Sequence, residues 1–233
     1  MEITYVVNSN FSFYQKTLPV LFNSLDKTGS PWKDKFIIVI GESPVNKMEI
    51  INGVQHFFVT YGGIDFTGAF FIAENYDMFS EFIFYTHDTV YVGENFFNLI
   101  KENFKGKYYK KLSSTYSMNI GIFRKELFKR YYDRIKHLKF TQIDEKTRME
   151  YKHIGGRYED IISRYVDDDL EIFNDQAIGH GFHNSGKETY IQENVDVYKT
   201  NSLRKIFYVP ELDFYKVKAN IGGKAPADWI ITI

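Results

Sequence analysis

The sequence predicts an α/β fold in which a mostly parallel central sheet is flanked by helices. Along the first ninety residues, short continuous apolar runs alternate with segments that carry apolar residues at helical spacing. A strand buried on both faces is apolar throughout, and strands that alternate with helices indicate βαβ units. The 233 residues show no internal repeat and no Pro-rich linker. We therefore expect a single domain over residues 1–233, long enough to bury a core.

Each predicted strand ends at a polar or glycine-containing cluster. The predicted strands cover residues 3–7, 36–40, 54–61 and 82–86. The clusters that follow them are Asn8-Ser9-Asn10, Gly41-Glu42-Ser43, Gly62-Gly63-Ile64-Asp65 and Thr86-His87-Asp88-Thr89. Ligands of open parallel sheets bind at the carboxyl ends of the strands. The four clusters are therefore expected to converge on one ligand site.

The predicted helices lie between these strands and after them. Leu18, Leu21, Phe22 and Leu25 follow the i, i+3, i+4, i+7 spacing of a helix over residues 17–27, with Pro19 in its first turn. Asp65 is expected to be the N-cap of a second helix. A third helix is predicted from Leu127 to Leu138. The polar stretch 141–152 then leads to a break at Gly155-Gly156, a short helix near 158–166 and a long loop or lid over 180–202.

The composition narrows the range of partners. The chain has 29 Lys+Arg against 30 Asp+Glu, a net charge of -1, so it has no positive excess to attract nucleic acid or an anionic membrane. It has no cysteine, so disulfides and thiolate metal sites are excluded. No run approaches the roughly 18 apolar residues of a membrane span, and the N-terminus lacks the basic region of a signal peptide. We expect a soluble, cytoplasmic protein.

Four motifs occur in an order that is typical of one enzyme class. They are Asn23-Ser24-Leu25, Ile40-Gly41-Glu42-Ser43, Asp65-Phe66-Thr67-Gly68-Ala69, and the strand that ends in Thr86-His87-Asp88. Their order resembles that of the nucleotide-sugar-dependent glycosyltransferases of the GT-A fold, particularly the large inverting family with one Rossmann-like domain. The resemblance covers residues 3–176. It implies a nucleotide-binding half over 1–90 and, over 91–233, an acceptor-binding half with a C-terminal loop.

The resemblance implies a glycosyltransferase of the hexosyl- or pentosyltransferase type, with a role in polysaccharide biosynthesis. It would move a sugar from a nucleoside-diphosphate sugar, a UDP-sugar above all, to a glycan or another hydroxyl acceptor. The nucleotide or donor contacts that it implies are Asn8, Ser9, Glu42, Asp65, Thr86, His87, Asn119 and Gly121. Among them, Glu42 would bond the uracil or the ribose.

The same resemblance implies a divalent metal ion, Mn²⁺ or Mg²⁺. Asp88 stands in the place of the metal-binding Asp-x-Asp motif, but Thr86 replaces the first Asp. His183 is similar to a late histidine that some members supply as a further ligand. Both ions prefer oxygen ligands and need few from the protein, because phosphate oxygens and water complete the shell.

The general base is open between two carboxylates. An inverting transfer needs a base to take the proton of the acceptor hydroxyl. Asp160, beside Glu159, resembles the base of a Gly-Gly…Glu-Asp motif, although two extra residues follow Gly155-Gly156 here. Asp175 resembles the Asp-Gln step of other GT-A enzymes.

Three alternatives remain beside this hypothesis. A sugar nucleotidyltransferase is disfavoured because residues 8–14 contain no Gly, Lys or Arg to hold a triphosphate. A metal-dependent hydrolase would need His87, Asp88, His180 and His183 to converge. A non-catalytic glycosyltransferase-like binding domain would be compatible with Thr86 in place of the first Asp.

Overall fold

A computed structural model describes residues 2–104, 110–111, 120–156, 198–199, 205–209, 211–218 and 230–231. The strands are β1 (Ile3–Asn10), β2 (Phe36–Gly41), β3 (Lys47–Ile51), β4 (Val54–Phe58), β5 (Phe82–His87), β6 (Val90–Val92), β7 (Lys110–Lys111), β8 (Gly121–Arg124), β9 (Tyr198–Lys199), β10 (Lys205–Val209), β11 (Phe214–Lys218) and β12 (Ile230–Ile231). The α-helices are α1 (Tyr14–Lys27), α2 (Thr67–Glu74), α3 (Phe96–Asn103), α4 (Lys125–Ile135) and α5 (Glu145–Gly156).

The central sheet has seven strands in the order β3-β4-β2-β1-β5-β8-β7. The four inner strands β4, β2, β1 and β5 run parallel to one another. The outer strands β3, β8 and β7 are antiparallel to their neighbours. The predicted α/β class, with a mostly parallel sheet between helices, is confirmed.

Each face of the sheet carries its own apolar core. On one face, Leu21 of α1 and Ile100 of α3 pack with the alternate β1 residues Tyr5 and Val7. On the other face, helices α2 and α4 pack with Val6 of β1. Successive side chains of a strand point to opposite faces, so a strand covered on both sides must be apolar at consecutive positions. This explains why the continuous apolar runs predicted the strands.

The chain order defines a crevice between β1 and β5. From β1 the chain passes through α1 to β2 and then to β4, on one side of β1. After α2 it returns to form β5 on the other side of β1. The direction of the connections therefore reverses between β1 and β5, and such a switch point is where ligands of open α/β sheets bind, outside the carboxyl ends.

The edge strand β3 and the start of helix α1 differ from the sequence prediction. The edge strand β3 was not predicted; it joins β4 through Asn52-Gly53, whose φ values of +54° and +83° fit the tight two-residue hairpin turn that Asn-Gly favours. Helix α1 begins at Tyr14, a turn earlier than predicted. Pro19 therefore lies inside the helix, where it removes one backbone hydrogen bond.

The polar stretch after α4 also differs from the sequence prediction, because it forms helix α5. The side chain of Asp144 accepts a hydrogen bond from the Thr147 amide at 2.7 Å and so caps its first turn. Gly155 and Gly156 end this helix instead of preceding the next one. The helix predicted near 158–166 lies outside the described residues, as does the loop predicted over 180–202 except for β9.

A second, three-stranded sheet, β10-β11-β6, adds to the face that carries α1. Its strand β6 follows β5 after only two residues, so this sheet lies next to the carboxyl edge of the central one. No helix in the described part of the chain combines the length and the apolar character needed to cross a membrane.

Candidate functional site

The carboxylate of Asp88 lies at the end of β5, on the crevice between β1 and β5. Its Oδ2 accepts hydrogen bonds from Ser9 Oγ at 2.6 Å and from Thr17 Oγ1 at 2.7 Å. The Asp88 amide bonds the Asn8 carbonyl of β1 at 3.1 Å. No described residue donates to Oδ1. The side chain is therefore fixed through one oxygen while the other oxygen keeps its full acceptor capacity.

The Asn8 side chain links β1 to the loop after β4. Its Nδ2 donates to the Ile64 carbonyl at 2.9 Å, and its Oδ1 accepts from the Gly68 amide at 2.7 Å. Gly68 is the second residue of α2, so Asn8 supplies the acceptor that an N-cap side chain normally provides. Ile64 has a φ of +55°, a strained value for a β-branched residue. Asn8, which is 6% exposed, thus supports the loop that borders the crevice.

Asp65 does not cap α2 as predicted. The N-cap is Phe66, without a side-chain bond, and Asp65 lies in the short 3₁₀ turn before it. The carboxylate of Asp65 instead faces His87, with 3.5 Å between Oδ1 and Nδ1. Its carbonyl accepts a bond from Tyr85 Oη at 2.9 Å, and burial followed by the charge of Asp65 raises the pKa of Tyr85. Asp65 and His87 therefore form a pair beside Asp88.

The carboxylate of Glu42 lies at the end of β2 and is held by three donors. Asn10 Nδ2 and Arg148 Nη1 donate to Oε1 at 2.5 and 2.7 Å. Arg148 Nη2 donates to Oε2, which completes a two-pronged ion pair. The hydrogen bond with Glu42 raises the pKa of Arg148. Glu42 has a φ of +59°, so its backbone turns sharply as it leaves β2.

Arg148 was not predicted as part of this edge. It comes from α5, which reaches the edge through a bridge between Phe140 and Gly62: Gly62 N bonds Phe140 O at 2.8 Å, and Phe140 N bonds Gly62 O at 3.0 Å. A Cβ at position 62 would lie 2.6 Å from the Phe140 ring and 2.7 Å from Glu42 Cγ. Gly62 is thus required for the close approach of this segment.

Two further residues of this edge were missed. Lys216 of β11 is 2% exposed, and its ammonium donates to the hydroxyl of Thr89, the residue after Asp88. Phe11 follows β1, is 38% exposed and contacts the rings of Tyr14 and Phe58. Phe11 could have been found from its position directly after the first polar cluster. Lys216 gave no signal, because the pairing of β11 with β6 depends on the three-dimensional fold.

The remaining predicted residues divide into three groups. Thr86 is 2% exposed and its hydroxyl bonds the His87 carbonyl at 3.3 Å, so it faces the interior of the protein. Gly121 begins β8, opposite Tyr85 of β5. Glu159, Asp160, Asp175 and His183, with Asn119, lie outside the described residues. The structure therefore brings Asn8, Ser9, Asp65, His87 and Asp88 together, while Glu42 lies along the same edge and is linked to β1 through Asn10.

The residues around Asp88 fit a cation that takes one ligand from Asp88 and the others from outside the described side chains. In the described part of the chain, no three His, Asp or Glu side chains form a group that could enclose a metal ion. The open oxygen of Asp88 offers one hard ligand of the kind that Mg²⁺ and Mn²⁺ prefer. The two hydroxyls on its other oxygen would orient it, as outer hydrogen bonds commonly do at metal sites.

Comparisons with known proteins give weak structural matches and no family. No protein-family model matches the chain, and no curated protein matches it. Among solved structures, S. aureus TarS 1–349 in complex with UDP-GlcNAc is 17% identical, with 56% of this chain and 47% of that chain covered and a TM-score of 0.37. S. aureus TarS is 15% identical, with 56% of this chain and 29% of that chain covered and a TM-score of 0.33. TarS 1–349 in complex with UDP is 16% identical, with 56% of this chain and 48% of that chain covered and a TM-score of 0.30. This chain spans less than half the length of each of them.

Proposed function

We propose that this protein is a glycosyltransferase that uses a nucleoside-diphosphate sugar, a UDP-sugar above all, together with a divalent ion. The observation that carries the proposal is the carboxylate of Asp88 at the switch point of the sheet. It is oriented by Ser9 and Thr17, and Oδ1 receives no bond from the described residues. The order of the sequence motifs, which resembles that of GT-A glycosyltransferases, supports the same proposal.

The reaction requires stabilisation of a departing diphosphate. Cleavage of the bond between the sugar and the diphosphate leaves negative charge on the leaving group, and a divalent ion bound there supplies Lewis-acid stabilisation of that charge. Asp88 is the residue that would hold the ion. Because Thr86 supplies no second carboxylate, we expect the remaining ligands to come from the diphosphate and from water.

The other residues of the edge have separate tasks in this proposal. Ser9 and Thr17 keep Asp88 in one orientation. Glu42, at the end of β2, would bond the uracil or the ribose of the donor, and dinucleotide-binding sheets use an acidic residue for the ribose in a similar way. Asn8 supports the loop that carries Asp65. The base for the acceptor hydroxyl is assigned to Asp160 or Asp175, and the sugar and acceptor are bound by residues 91–233.

A donor screen tests this proposal. Release of UDP is measured over a panel of UDP-sugars, with and without Mn²⁺, for the wild type, Asp88→Asn and Asp34→Asn. Asp34 is an exposed aspartate in the turn before β2 and serves as the matched control. We expect turnover of at least one donor, a loss of about 100-fold or more in Asp88→Asn and no change in Asp34→Asn.

Full activity of Asp88→Asn would overturn the metal assignment, and no turnover of any donor would overturn the transferase proposal. Binding of UDP without sugar release would instead indicate the non-catalytic binding domain.

A further inference from the structure

We propose that Arg148 is a positioning residue for donor recognition that acts through Glu42. The inference rests on the proposed function, in which Glu42 meets the nucleoside of the donor. It concerns a residue of α5, which lies 106 positions away from Glu42 in the chain.

The side chain of Glu42 cannot hold its position alone. It stands on a backbone turn with a φ of +59°, anchored by its amide to the Tyr61 carbonyl at 2.9 Å. Three bonds of the carboxylate then come from Asn10 and Arg148. Two of these three bonds depend on the guanidinium, so removal of Arg148 leaves the carboxylate held by the Asn10 amide alone.

The pairing leaves Glu42 able to bind a hydroxyl. Each carboxylate oxygen can accept two hydrogen bonds, and Oε2 accepts only one from the described residues, that of Arg148 Nη2. A ribose hydroxyl could therefore donate to Oε2 without displacing the guanidinium. The planar fork of Arg fixes both oxygens at once, and a lysine ammonium cannot do so. Arg148 would thus fix Glu42 in one orientation before the donor binds.

Helix α5 and the segment before it have contacts besides the ion pair, which makes the role testable. The Phe140–Gly62 bridge contributes two backbone hydrogen bonds, and the ring of Phe140 contacts Tyr151 of α5 with 5.2 Å between centroids. The Asp144 side chain caps the start of the helix. We therefore expect substitutions at Arg148 to leave the fold and α5 in place.

A double-mutant cycle with UDP and Mn²⁺ tests the inference. UDP binding is measured by calorimetry for the wild type, Glu42→Gln, Arg148→Met and the double variant, with Arg148→Lys as the conservative exchange. Lys146→Met, an exposed position of the same helix, is the control. We expect about tenfold weaker UDP binding for each single variant, an intermediate loss for Arg148→Lys and no change for Lys146→Met.

The decisive value is the coupling within the cycle. If Arg148 acts through Glu42, the double variant binds UDP no more weakly than Glu42→Gln alone. In Arg148→Met, the KM for the donor rises while kcat at saturating donor is retained. An Arg148→Met variant with a lower melting temperature but unchanged UDP affinity would overturn this inference and leave the proposed function standing. A wild type that binds neither UDP nor a UDP-sugar would overturn both.

Discussion

Two carboxylates lie along the same edge of the sheet, and they are held in opposite ways. At the end of β5, Asp88 is bound by the neutral hydroxyls of Ser9 and Thr17, both on one oxygen. At the end of β2, Glu42 is bound by a guanidinium and an amide on both oxygens. Neutral donors orient a charge without compensating it, whereas a guanidinium compensates it. The negative charge at Asp88 thus remains available to a cation, and the charge at Glu42 is already paired.

The largest effect on stability is expected at Glu42. Glu42→Gln leaves the half-buried guanidinium of Arg148 without its ion pair and should lower the free energy of unfolding by about 1–3 kcal/mol. Asp88→Asn keeps a carbonyl oxygen that can accept both hydroxyls, so its cost should stay below about 1 kcal/mol. Urea unfolding of both variants checks this order. Equal losses would show that the two carboxylates are held alike.

A smaller effect is expected from the hydroxyl of Thr17. Thr17→Val removes one of the two donors to Asp88 and should cost about 1 kcal/mol, together with a several-fold loss of donor turnover. Thr4→Val is the matched exchange at the opposite edge of the sheet, where Thr4 Oγ1 bonds Ser80 Oγ at 2.7 Å. It should lower stability without affecting turnover. Parallel losses of turnover in both variants would argue against a special role of the Asp88 contacts.

The smallest effect is expected from the titration of His56, which bonds neither of the two carboxylates. His56 of β4 is 1% exposed, and burial lowers its pKa from 6.5, although the Val54 carbonyl and Glu49 across the hairpin oppose this. Because the unfolded state then binds the proton more readily, stability should decrease as the pH falls below 6.5. His56→Gln should remove this part of the pH dependence between pH 7.5 and 5.5 in urea unfolding. An unchanged pH dependence in the variant would contradict the neutral buried imidazole.

The sequence predicted what depends on local pattern. The strand cores were visible because a strand covered on both faces must be apolar at consecutive positions, as in Val6 and Val7. The polar clusters at the carboxyl ends were predicted from the ends of the same apolar runs. The hairpin at Asn52-Gly53 was also encoded locally and was missed, although this dipeptide is a strong turn signal.

What the sequence could not predict depends on contacts between distant residues. Arg148 lies in a polar stretch whose periodicity did not indicate a helix, and its partner Glu42 is set by the Phe140–Gly62 bridge. Asp65 was predicted as the N-cap of α2 because the acceptor for the first helical amides usually comes from a neighbouring residue in the chain. Here Asn8 of β1, which is distant in the chain, supplies this acceptor. Such assignments need the three-dimensional packing.

The central claim is that Asp88 holds a cation that recruits the diphosphate of a donor. Calorimetric titration of UDP into the wild type and into Asp88→Asn, each with and without Mn²⁺, tests it most directly. The account predicts that Mn²⁺ strengthens UDP binding to the wild type and that Asp88→Asn loses this gain while its metal-free affinity is kept. An Asp88→Asn variant in which Mn²⁺ strengthens UDP binding as much as in the wild type would contradict the account.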